Sequence, residues 1–129
     1  MSSRPSRTAT VIRPEIAPGR RVLAISDIHG NLPFLKGVLA KADYVPGEDV
    51  LVLVGDLLEK GLESLATLRY IMELSRQGTV YALCGNCDHI DRAFLEDRPG
   101  VDQRLWPVFR AWGSRSLILQ MAAQMGMTA

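Results

Sequence analysis

A chain of 129 residues, 47% of them apolar, is long enough for one domain with a real hydrophobic core. Its formal net charge of +1 gives no broad attraction for nucleic acid or a membrane surface, so any phosphate must be met locally. The longest apolar run, Val50 to Leu58, is broken by Gly55 and Asp56 and falls far short of the ~20 residues of a membrane helix.

Residues 1–20 carry Arg4, Arg7, Arg13 and Arg20 against the single acid Glu15 and have no apolar h-region. They read as a flexible basic leader rather than a secretory signal, with an organelle transit peptide as the alternative. The domain then occupies 21–129. Arg21 to Ser26 is a short apolar run without helical spacing, and predicts a buried strand. Asn31 can cap a following helix in which Pro33 suits the first turn and Leu32, Leu35, Val38, Leu39 and Ala42 form one face. Pro46-Gly47 ends that unit. Val50 to Val54 has the continuous apolar character of a central parallel strand covered on both faces.

A second helix is expected with Leu62, Leu65, Leu68, Ile71 or Met72, and Leu74 on one face, and Gly78 placed as a C′ glycine. Thr79 to Leu83 predicts a third strand. Strand, helix, strand, helix, strand with short connections implies a parallel sheet. Beyond residue 90 the pattern weakens. Asp91 to Asp97 suggests a short helix, Pro99 and Pro107 interrupt, and Leu117 to Met125 predicts a final amphipathic helix ended by Gly126.

The polar residues fall at the strand ends. Asp27 and His29 follow the first strand, Asp56 the second and Asn86 the third, so a parallel sheet lines them along its carboxyl edge, where open α/β folds bind ligands. Carboxylate and amide oxygen mixed with imidazole nitrogen suits Mn, Fe or Zn better than calcium. Helix amino termini beyond these loops favour phosphate.

The three segments Asp27-Ile-His29, Gly55-Asp56-Leu-Leu-Glu-Lys60-Gly61 and Gly85-Asn86-Cys87-Asp88 resemble, in order, the signature of the calcineurin-like metallophosphoesterases. The match runs from about residue 21 to 90. The Gly-Asn-Cys-Asp form is similar to that of small phosphodiesterase-like members, and the Gly-Asp motif also resembles protein-phosphatase-like ones. The resemblance implies two divalent metal ions, Asp27 and His29 on the first, Asn86 on the second and Asp56 bridging, with hydrolysis of a phosphomonoester or phosphodiester by metal-bridging hydroxide. It further implies a catalytic set of Asp56, Lys60, Asn86, Cys87 and Asp88, with Lys60 and Asn86 binding phosphate. Substrates would be a small phosphoester or a phosphoprotein.

Two departures stand out. Cys87 occupies the position of a histidine in many members, and a thiol offers no imidazolium proton at neutral pH, which leaves Asp88 without that partner. The family's αββα sandwich has a second sheet that supplies further histidines in Gly-His and Gly-His-x-His segments, and here the only other histidine is His89. The expected fold is therefore the parallel β-α-β-α-β half of that sandwich plus C-terminal helices, a truncated domain with incomplete metal loading. A non-catalytic remnant or weak metal-binding module is the alternative function. An isolated half would expose the sheet face meant for its partner, which predicts self-association.

Simpler readings stand beside these. Asn31 is a helix cap rather than a ligand. Cys84 and Cys87, the only cysteines, fit a reducing, cytoplasmic setting, and their Cys-x-x-Cys spacing resembles a thioredoxin-like redox pair, although Cys84 reads more simply as a buried strand residue. His89 reads as a solvated surface histidine. Met121, Met125 and Met127 suit adaptable packing, and Trp106 and Trp112 fit either a substrate mouth or core filling. No Gly-x-Gly-x-x-Gly follows the first strand, which argues against a Rossmann domain.

Overall fold

Three apolar runs become three parallel strands, β1 (Val22–Ile25), β2 (Val50–Val54) and β3 (Thr79–Leu83), in the computed structural model, which describes residues 10–96 and 101–126. The strand order is β1-β2-β3, with Val22 beside Val50 and Val50 beside Thr79. Helices α1 (Leu32–Lys41) and α2 (Ser64–Gln77) make the crossovers. Beyond the sheet lie α3 (Asn86–Leu95), α4 (Val101–Trp112), a 3₁₀ turn at Gly113–Arg115 and α5 (Leu117–Gln124). This is the expected α/β half-sandwich, and a second sheet is absent from the described residues.

Alternation along the strands decides which side is buried. Ile25, Leu51 and Leu53 pack with Leu35 and Leu39 of α1, Ile71 and Leu74 of α2 and Leu117 of α5. Each such aliphatic side chain contributes about 1.5–3 kcal/mol when fully buried. The alternate positions face the other way, and Val22, Val54 and Leu83 there are 47%, 45% and 51% exposed. At the amino edge Arg21 binds the Asp49 carboxylate at 2.7 and 3.2 Å, joining the start of β1 to the start of β2. The loops at the opposite edge follow Ile25, Val54 and Leu83.

Several local expectations change. Leu62 precedes α2 instead of lying on its buried face, and is 70% exposed, while Ser64 and Thr67 take the inward positions beside Ile71 and Leu74. Met72 is also exposed, which leaves Ile71 as the buried choice. Gly78 is extended, not left-handed, and a side chain there would strike the backbone of Gly47. The helix expected from Asp91 already starts at Asn86, because Gly85 is extended as its cap and the Asp88 carboxylate accepts the Gly85 N–H.

Pro107 does not interrupt. It lies inside α4, where the lost backbone bond is offset by edge-to-face packing of Phe94 with Trp106 and Phe109, at ring separations of 5.3 and 5.0 Å. Trp106 and Trp112 both belong to this aromatic cluster around Phe109. Cys84 is exposed just beyond β3, not buried within it. Asn31 caps α1 by accepting the Phe34 N–H at 3.1 Å, and Met121 packs on the core. No described helix is long and apolar enough to cross a membrane. Asp97, Pro99, Met127 and the leader up to residue 9 lie outside the described residues.

Candidate metal centre

The first and second loops are laced together by backbone. The His29 N–H donates to the Asp56 carbonyl at 2.9 Å and the Gly30 N–H to the Leu57 carbonyl at 2.8 Å. The Ser26 hydroxyl donates to Asp27 Oδ2 at 2.7 Å, holding that carboxylate at the rim. Asp27, His29, Asp56, Glu59 and Lys60 all have left-handed backbone, with φ of 53°, 47°, 50°, 70° and 68°. That conformation costs a side-chain-bearing residue about 1–2 kcal/mol, and its concentration in two loops marks them as shaped for a purpose other than stability.

The shaping brings one donor atom each from Asp27, His29 and Asp56 within 4.8 Å of one another. His29 Nε2 stands 3.7 Å from Asp27 Oδ1, longer than a hydrogen bond, and His29 Nδ1 is buried without a partner. Among the described residues no Lys or Arg forms an ion pair with either carboxylate. Two carboxylates and an imidazole converging without a cationic side chain form a donor set that fits a divalent cation.

The third loop reaches the same place from β3. The Cys87 N–H donates to Asp56 Oδ1 at 3.2 Å, and a side chain at Gly85 would collide with the Asp56 backbone and carboxylate, so only glycine permits this approach. Asn86 is the exposed first residue of α3, immediately before Cys87. Gly61 is equally constrained, because a Cβ there would run into the His29 carbonyl. Lys60, exposed beside these loops, is close enough to Cys87 to pull its thiol pKa down, against burial, which raises it more. The Cys84 thiol is also raised, and both cysteines are free, an environment that does not favour a redox thiolate. His89 is exposed on α3.

Asp88 turns inward. Its carboxylate accepts the N–H groups of Leu57, Leu58 and Gly85, so it holds loops together instead of facing the rim. Sequence reasoning missed Glu59 and Asp91, which are 0% and 2% exposed. Glu59 Oε1 accepts the Leu117 N–H at the start of α5 at 2.7 Å, and the Glu59 N–H donates to Ser64 Oγ at 2.9 Å. With both acids ionised, Glu59 Oε2 and both Asp91 oxygens would be buried without a donor. A proton on Asp91, donated toward Glu59, relieves part of that cost, and the Asp91 carboxyl is pushed up to about 9 by burial first, then by its hydrogen bond to Glu59. The available signal was an acid inside the Leu-Leu-Glu-Lys run whose preceding leucines are both core-like.

The calcineurin-like phosphoesterase family model matches residues 20–121. A symmetrical bis(5'-nucleosyl)-tetraphosphatase of Edwardsiella ictaluri is 46% identical over 98 residues, 74% of this chain and 34% of that protein. Proteins of the same description from Shewanella sp. (strain MR-4) and Escherichia coli O139:H28 are 42% and 35% identical, over 78% and 75% of this chain and 36% and 38% of theirs. The chain spans about a third of the length of these curated relatives. No solved structure matches it significantly.

Proposed function

The chain belongs to the calcineurin-like phosphoesterase family, and on that premise we propose that it carries part of the metal centre of a metal-dependent phosphoester hydrolase. The observation that supports this reading best is the convergence of Asp27, His29 and Asp56 from two loops within 4.8 Å. Asp27 and His29 would hold a first divalent ion, Asp56 would be shared, and Asn86 would serve a second. Manganese, iron or zinc bound there supplies the Lewis acidity and charge neutralisation that phosphoryl transfer to water requires.

The chain's own side chains do the remaining work. Lys60 is available to meet a phosphate oxygen as a point charge. Cys87 keeps its proton at neutral pH, since burial raises its pKa, and it offers no cationic acid to a leaving group. Asn86 opens α3, whose first-turn N–H groups favour an anion. A reducing, cytoplasmic setting suits the two free thiols.

The relatives are named for bis(5'-nucleosyl) tetraphosphates, which makes a small nucleotide polyphosphate the first substrate class to try, ahead of a phosphoprotein. The test is Mn-stimulated hydrolysis of a bis(5'-nucleosyl) tetraphosphate and of a generic aryl phosphodiester, by the protein and by Asp56→Asn. Equal rates for the two proteins reject the mechanism.

A second reading is a metal-binding module without turnover. Its support is the donor count, since among the described residues a second ion would find only Asp56 and Asn86 at these loops. Metal binding without hydrolysis of either substrate would favour it.

A further inference from the structure

We propose that Asp88 is a positioning residue of the metal centre, acting through the backbone of the second loop; the inference rests on the metal reading above. Asp88 is 9% exposed, and its carboxylate accepts four hydrogen bonds. The Leu57 N–H reaches Oδ1 and Oδ2 at 3.0 and 3.2 Å, the Leu58 N–H reaches Oδ1 at 3.0 Å, and the Gly85 N–H reaches Oδ2 at 3.0 Å. Leu57 and Leu58 directly follow Asp56, and Gly85 directly precedes Asn86. One carboxylate therefore grips both loops beside the proposed shared ligand and the proposed second-ion ligand.

The reverse contact closes the ring. The Cys87 N–H donates to Asp56 Oδ1 at 3.2 Å, so loop two is tied to loop three once through backbone and once through the ligand carboxylate. Asp56 needs such a grip, because its φ of 50° is held only if the surroundings over-determine it. An acid is required for geometric reasons. Three N–H donors converge on two oxygens, and an amide would supply one acceptor oxygen while turning its own N–H₂ toward another donor. Outer partners of this kind orient the groups that bind a metal and are worth about 10- to 100-fold in metal affinity.

The experiment titrates Mn(II) alone into the protein by calorimetry, with thermal midpoints measured alongside. Asp88→Asn is expected to weaken Mn(II) binding about 10- to 100-fold. Gln120→Ala, which removes hydrogen bonds of α5 to Leu65 and Leu62, provides the stability control, and should lower the midpoint without changing Mn(II) affinity. A merely structural Asp88 would behave like that control, and wild-type affinity in folded Asp88→Asn overturns the proposal. Where Asp88→Asn fails to fold, Asp88→Glu keeps the charge and both oxygens one methylene too far out; weaker binding supports the proposal and wild-type affinity overturns it. Asp56→Asn separates the two levels. If it loses Mn(II) while Asp88→Asn does not, only the positioning role falls, whereas no Mn(II) binding by the unmutated protein overturns the metal reading and this inference together.

Discussion

The second loop joins two acidic clusters with opposite surroundings. At the rim, Asp27, His29 and Asp56 converge with the Asp27 side chain 63% exposed, and among the described residues no Lys or Arg pairs with either carboxylate. Beneath it, Glu59 and Asp91 are sealed from water, burial pushes the Asp91 carboxyl up to about 9, and Glu59 accepts the Leu117 N–H of α5. Both clusters are built on carboxylates, so the presence of acids does not separate the two. Access does. A carboxylate set open on one side can be completed by a cation, while a sealed pair has to complete itself with a proton.

Removing a rim donor should separate the two clusters most strongly. Asp56→Asn should cost on the order of 100-fold or more in Mn-stimulated hydrolysis, measured as initial rates, because a direct donor outweighs the outer partners. Its thermal midpoint should stay near that of the unmutated chain, as the Asp56 carbonyl contact to His29 is untouched. His29→Ala should lower Mn(II) affinity by a comparable factor in a calorimetric titration, whereas Asp91→Asn should leave it unchanged.

The buried pair is probed by pH. Folded Asp91 titrates at about 9 against an ordinary 3.8, so the folded chain keeps a proton that the unfolded chain has released. That contribution to stability is fully present below the ordinary value and is lost as pH rises toward about 9. The thermal midpoint should therefore fall on going from about pH 5 to about pH 8. Asp91→Asn, whose amide donates permanently toward Glu59, should flatten that slope and raise the midpoint at the alkaline end. An unaltered slope would show that Asp91 keeps no such proton. The smallest effect is expected from Gln120→Ala, about 1 kcal/mol of stability per hydrogen bond lost, read by denaturant unfolding.

The same contrast explains what the amino-acid sequence revealed. The strands and crossovers were legible because Val50 to Val54 and its neighbours are short apolar runs closed by glycine or acid, a pattern that depends on local order alone. The gathering of Asp27, His29 and Asp56 was legible for the same reason, since parallel strands bring their ends to one edge. Burial of Glu59 was not, because it is created by α5 docking 58 residues away. Pro107 misled for a related reason, as the aromatic packing that sustains α4 is invisible to a local rule about proline. Asp88 carried a motif position but no hint of direction, which only the meeting of loops two and three supplies.

The most direct test of the central claim is anomalous scattering from crystals of the protein grown with Mn(II). A manganese peak is expected within coordination distance of Asp27, His29 and Asp56. An empty rim under saturating Mn(II), or a peak coordinated elsewhere with these three side chains apart, would contradict it.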